Sequence, residues 1–256
     1  PAPAPTWSCW IGWSNGAATC KTDCEHPAVS TYFSDASFKF LRALAKSNDK
    51  TWFNEHKQQY EDHVRQPFLR LLTDLQPDLA QVSEHFRSDP KTVGGSLFRI
   101  YRDARFSNDK SPYKPWQGAR LFHERRKQVA APSFYVHLQP GQCFVGAGLW
   151  HPEPPTQRRV RQFIFDNPGS WKAAAHAPKF RKRYEFESSE VLSRPPRGFP
   201  AEFEMIEDLK HRNFVFSRHL EEADMTGPRL RQLLAADLVA LGPFVDYLCA
   251  ALDLEF

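Results

Sequence analysis

Gly95 to Trp116 reads GSLFRIYRDARFSNDKSPYKPW. Leu97, Ile100 and Tyr101 belong to a short β-type run, Leu97–Arg102, with Arg99, Arg102, Asp103 and Arg105 interleaved along and just past it. The chain then breaks into Phe106–Pro115, too polar and too rich in proline for a helix or a central strand, because proline fixes φ and removes a donor. Three arginines and two lysines against two acids, in a loop leaving a strand, suit a preorganised anion site. Guanidinium forks and ammonium groups match phosphate and carboxylate oxygens. In that reading Arg99, Arg102, Arg105, Lys110 and Lys114 surround the anion, and Ser107 and Tyr113 donate hydrogen bonds to it. Asp103 and Asp109 orient the cations, or Asp103 acts as a base if desolvation raises its pKa. The competing reading makes the same residues a salt-bridge network that pins the loop to the sheet.

Three further strand-length runs follow: Ala119–Glu124, Ser133–Leu138 and Gln142–Leu149. Phe134, Val136 and Leu138 alternate with Tyr135 and His137, as in a strand buried on one face. Pro140-Gly141 supplies a tight turn, and such short links predict an antiparallel meander. Another strand is expected at Asn213–Arg218.

Helices frame this β section. Ser34 opens a helix with Phe38, Leu41, Leu44 and Ala45 on one stripe. Asn48-Asp49 caps a second, with Trp52, Phe53, Tyr60 and Val64 inward, and Pro67 is expected to kink or break it. Phe68, Leu71, Leu72 and Leu75 continue the stripe. A basic helix is expected at Thr156–Asp166, with Val160, Phe163 and Ile164 inward and Arg158, Arg159 and Arg161 outward; a short one follows at Ser170–Ala175. From Pro228 a long helix carries Leu230, Leu233, Leu234, Leu238, Leu241, Val245, Leu248 and Leu252, with a bend expected at Gly242-Pro243. The fold class is therefore α+β: a mainly antiparallel sheet packed with helices and closed by a long C-terminal helix.

The 256 residues suffice for one good core, and 41% hydrophobic with 14% aromatic content excludes disorder. Residues 1–30 read differently, as a flexible extension beginning Pro-Ala-Pro-Ala-Pro, and residues 31–256 as one domain. Cys20, Cys24 and His26, with Cys9, fit no strong zinc spacing, and no metal or other cofactor is expected. Cys143 and Cys249 read as buried free thiols, and a reducing, cytoplasmic location follows as the expectation. No apolar run is read as spanning a membrane.

The net charge of +4 is unevenly spread. Arg99–Arg126 holds eight basic residues against three acidic ones, and Arg158–Arg183 eight against one. Two basic segments can form one face for an anionic small molecule or a nucleic acid, or two solvated surfaces. The oligomeric state is not legible.

The stretch FRIYRDARFSNDKSPYK resembles domain-of-unknown-function family 2461. Phe40-Leu41, Asn48–Phe53, Tyr60-Glu61, Val145–Pro152 and Arg194–Phe199 fit the same pattern, so the likeness runs from about Phe33 to Leu252. After Gly198-Phe199 the family pattern leads one to expect an Asp and a nearby His-Pro; Pro200, Phe203 and Glu204 stand here instead. The resemblance implies an intracellular α+β protein and carries no reaction.

His151, beside the Gly146-Ala147-Gly148 strand end, is the candidate general acid–base. Trp52, Phe53, Trp116 and Trp150 either stack a base or sugar or fill the core. His219 with Glu221 and Glu222 makes only a weak metal pattern. No phosphate-binding loop, dinucleotide fingerprint or nucleophile elbow is present. Three functions remain open: an anion-binding pocket with or without hydrolase or transferase chemistry, a non-catalytic nucleic-acid-binding module, and a structural or partner-binding protein.

Overall fold

In the computed structural model the described residues are 31–91, 93–103 and 109–256. The first helical section runs α1 (Asp35–Lys46), α2 (Lys50–Glu55), α3 (Lys57–Tyr60), a π-helical turn (Glu61–Arg65) and α4 (Gln66–Val82). The expected caps hold locally: Ser34 precedes α1, and the Trp52 N–H donates to the Asp49 carboxylate at 2.9 Å. Pro67 does not break the helix. It falls at the start of α4, straight after the π turn, where a missing donor costs least.

The sheet follows with β1 (Phe86–Arg87), β2 (Gln117–His123), β3 (Ser133–Leu138) and β4 (Cys143–Leu149). Next come α5 (Pro154–Asp166), α6 (Pro168–Ala175), α7 (Pro178–Arg183), β5 (Glu185–Phe186), α8 (Ile206–Leu209), β6 (Phe214–Leu220), α9 (Glu222–Thr226) and α10 (Leu230–Ala251). The six strands are ordered β1-β2-β3-β4-β6-β5, with every neighbouring pair antiparallel.

Strand alternation gives the sheet two unlike faces. Ala119, Leu121, Phe134, Val136, Leu138, Val145, Ala147, Phe214 and Phe216 lie on the first, buried under helices. Phe244 of α10 meets Phe216 edge-on at 4.9 Å, and the Tyr60 hydroxyl donates to Gln117 at 3.0 Å. The second face carries Arg120, Tyr135, Phe144, Ser217 and His219, all exposed or half-exposed.

Among the described residues α10 is the one helix long and apolar enough to cross a membrane, a feature the sequence reading passed over. Here 56% of that window is buried inside the protein, as befits a core helix. Arg161 points inward, against expectation. Its guanidinium is buried and donates to the Leu209 carbonyl at 2.7 Å and the His211 carbonyl at 2.9 Å. Cys143 and Cys249 are free and buried, and burial pushes their thiols up to about 11 and about 12.

Candidate functional site

The antiparallel ribbon formed by residues 96–102 and 112–119 is the hub of the site. The Phe98 N–H donates to the Gly118 carbonyl at 2.9 Å and the Arg120 N–H to the Ser96 carbonyl at 2.9 Å, which extends the sheet past β2. Farther out, Lys114 N–H to Ile100 carbonyl (2.8 Å) and Arg102 N–H to Pro112 carbonyl (2.9 Å) keep the two arms together. The Leu97–Arg102 run thus behaves as a strand without ranking as one of the six; isolated bridges at Leu97 and Tyr101 mark it.

Two side chains tie this ribbon to the helices. Asn48 bonds both the N–H and the carbonyl of Tyr113, at 3.0 and 2.9 Å. Gln117 accepts from Tyr60 and donates to the Phe98 carbonyl at 2.5 Å. The two links cross 65 and 57 residues of sequence, so they fix the ribbon against the α1–α2 connection and α3 and not against its own neighbours.

Between ribbon and helices lies a hollow of about 240 Å³. Phe53, Tyr60, Leu69, Leu97 and Ile100 make its apolar wall. Lys57, Arg65, Lys91 and Arg99 bring positive charge to it, and Glu61 the one carboxylate. Glu61 is already bound to Arg65 at 2.7 Å, and Lys91 reaches Asp89 at 3.3 Å. Lys57 and Arg99 make no ion pair among the described residues. Glu61 and Arg65 bound the π turn, a local widening of the helix that recurs where side chains must be aimed at a site. A second, more open hollow of about 430 Å³, lined by α5, α6 and α10, bears Asp246 and no cation.

The structure brings together only part of the expected anion site. Arg99 lines the hollow. Arg102 is bound instead to Asp109, and donates to the Ser111 hydroxyl at 3.2 Å. Ser111, through its N–H and then its hydroxyl, holds the exposed Asp109 carboxyl below the usual range, with Arg102 adding to the effect. Asp103 and Lys110 are exposed and each engaged by a neighbour. Arg105 and Ser107 lie outside the described residues. Tyr113 is not a surface donor: it is buried with its ring stacked on Phe53 at 4.1 Å.

Lys114 turns to the other side of the ribbon. Its ammonium sits 5.6 Å from the Phe98 ring centre and 5.0 Å from that of Trp116, and donates to the Arg99 carbonyl at 3.1 Å. Partial burial and then Arg99 hold its pKa below the ordinary lysine value.

His151 is not brought to the loop. It follows β4 at the end where Gly148 pairs with Ser133, whereas the ribbon joins β2 at the opposite end, where Gln117 pairs with Leu138. Its backbone is left-handed (φ 47), held by its N–H donating to Asn213 at 2.8 Å. An i→i+1 reading of chemistry beside a Gly-rich strand cannot see which end of the sheet that strand finishes on.

The sequence reading missed a linked set on the second sheet face. The His137 Nε2 lies 2.9 Å from the Gln139 side-chain oxygen, and Gln139 donates to Gln142 at 3.1 Å. With Nε2 as donor, Nδ1 of His137 accepts from the Tyr135 hydroxyl, 2.9 Å away. Gly118 leaves the space for that hydroxyl, since a Cβ there would stand 2.1 Å from it. Burial pushes the Tyr135 hydroxyl well above its ordinary pKa and lowers that of His137, the Gln139 bond opposing the latter. The available signal was two hydrogen-bonding rings at i and i+2 on the face that alternation marks as outer.

Together these features define a class: a single α+β domain, six antiparallel strands under helices, with a small basic hollow at the sheet margin. The chain belongs to the family described as Conserved hypothetical protein (DUF2461), whose model matches residues 36–247. No curated protein and no solved structure matches it.

Proposed function

We propose that the hollow between the ribbon and α2–α4 binds a small organic anion. One observation carries this: Lys57 and Arg99 flank an apolar recess, and neither has a carboxylate partner among the described residues. Two cations with open valences favour a phosphate or carboxylate, and Phe53, Tyr60, Leu69 and Leu97 favour a short apolar or ring-shaped body beside it. The volume suits a metabolite-sized ligand and excludes a bulky one. Ligand capture, not a reaction, is what these residues support, since Asp103 and His151 are not assembled into an acid–base pair. A cytoplasmic location belongs to the same proposal, in keeping with two buried free thiols.

A thermal-shift screen with sugar phosphates, nucleotides and small carboxylates tests it, followed by calorimetry on any hit. The expected result is a hit whose affinity falls at least ~10-fold in Arg99→Ala and in Lys57→Ala, a loss of about 1.4 kcal/mol. Hits that ignore both substitutions, or no hit at all, overturn the assignment.

A further inference from the structure

The second sheet face presents a continuous aromatic floor. Register places Gly118, His137, Phe144 and His219 in one row across β2, β3, β4 and β6, and Arg120, Tyr135, Gly146 and Ser217 in the next. Phe98 leans on Tyr135 at 5.7 Å, Tyr135 on Phe144 at 5.5 Å, and Trp116 on His137 at 4.9 Å. His137 is stacked on Phe144 at 4.7 Å. Phe98, Trp116, Tyr135 and Phe144 each keep part of their surface in solvent. Gly118 and Gly146 raise no side chain between the rings, which tilt about 40° to one another, at 40° for Phe98–Tyr135 and 42° for Tyr135–Phe144.

Positive charge borders this floor at its β2 edge, while the carboxylates stand at the other edge, Glu185 beside Ser217 and Glu221 3.5 Å from His219. Lys114 stands over Phe98 and Trp116, and Arg120 shares its row with Tyr135. Arg120 makes no ion pair among the described residues. Although exposed overall, its pKa is held down by partial burial and then by Arg126, as that of Lys114 is by partial burial and Arg99. The buried Arg161 is lowered too, but two carbonyls occupy its guanidinium. Arg120 has no such partner among the described residues, and the attraction of an incoming anion offsets the cost of its desolvation and the repulsion from Arg126.

We infer that this face binds single-stranded nucleic acid, with bases stacked on the Phe98–Tyr135–Phe144 floor and phosphates at Arg120 and Lys114. Rings on an open antiparallel sheet backed by helices meet the need of unstacked bases for an aromatic platform, and flanking cations follow the backbone. A neutral sugar would use the rings and leave the cations uncompensated. A duplex hides its bases and has no use for the rings. The site adjoins the hollow and shares Phe98 with it, but Lys57 and Arg65 line the hollow alone.

Fluorescence anisotropy with labelled oligo(U) and oligo(dT) of about 12 nucleotides, and a duplex of equal length, decides the matter. Expected is binding of a single strand at low salt, weaker binding of the duplex, and at least ~10-fold loss in Phe144→Ala with retention in Phe144→Tyr. Arg120→Ala should flatten the dependence of log affinity on log salt by about 0.7. Lys57→Ala should bind the strand as the wild type does, so failure of the hollow and failure of this face are told apart. No single-strand binding at low salt overturns the inference. So does a duplex bound as tightly, or Phe144→Ala and Arg120→Ala variants that bind unchanged; Arg120 is exposed, so its variant tests the face even where Phe144→Ala fails to fold.

Discussion

Asp237 on the buried side of α10 and Arg120 on the open sheet face show two opposite fates of charge in one domain. Asp237 is wholly buried, and it accepts from Arg183 at 2.6 Å, from Arg218 at 2.7 and 2.8 Å, and from the Tyr184 hydroxyl at 2.6 Å. Every oxygen is used, and Asp237 raises the pKa of Arg218 against the cost of burial. Around Arg120 and Lys114 the sign reverses: partial burial and a neighbouring cation lower both. The first arrangement is closed and holds β6 to α10. The second is open, its cations without a carboxylate partner among the described residues. A count of basic residues treats the two alike; the sign and cause of the pKa shift, with the geometry, separate them.

The sharpest way to break the comparison is Asp237→Ala. It leaves two guanidinium groups and a hydroxyl under α10 without their acceptor. The expected loss is about 3 kcal/mol in urea denaturation, at the low end for a broken buried pair because Arg183 can regain water. A cost under about 1 kcal/mol would mean that the cluster anchors nothing.

Asn48→Ala comes next. It removes both bonds to the Tyr113 backbone, and a loss of about 2 kcal/mol is expected on the same measurement. The ribbon should loosen with it, so that hydrogen exchange at the Lys114 and Arg102 amides speeds up more than at β3.

His137→Gln sharpens the comparison through pH. The folded pKa of His137 lies below its unfolded value, about 6.5, so below that pH the unfolded chain takes up a proton that the native protein refuses. Stability contributed by neutral His137 is complete above about pH 6.5 and drains away as pH falls toward the folded value. The variant should therefore lose less stability than wild type between about pH 7 and pH 5. Equal losses in the two proteins would place the acid sensitivity elsewhere.

The smallest effect belongs to the open cations. Arg120→Ala and Arg99→Ala should each shift stability by no more than about 0.5 kcal/mol, since neither loses an acid partner. A drop as large as that of Asp237→Ala would turn these residues into scaffold.

Much of the secondary structure was legible because its signals are local. Asp49 announces α2 by its cap, and Phe134-Val136-Leu138 announces β3 to the residue. β1 and β5, two residues each, carry no periodicity to read, and exist because β2 and β6 offer them an edge. Pro67 signals a kink or break because its ring conflicts with an α-helical register; the π turn before it removes the conflict. Polarity alone puts Arg161 outward, and carbonyls 48 and 50 residues away in sequence hold it inside.

The candidate site divides along the same line. Composition and spacing by themselves determined that the run from Leu97 to Arg102 is strand-like, that the 95–116 segment is strongly basic, and that Tyr135 and His137 share the outer side of a strand. Only the tertiary structure decided which cation meets an acid. Arg102 found Asp109, Arg99 found the hollow, Lys114 found the rings, and His151 was carried to the far end of the sheet. Side-chain direction alternates residue by residue along a strand, whereas charge partners come from any part of the chain; the first is written in the sequence, and the second appears once the backbone has folded.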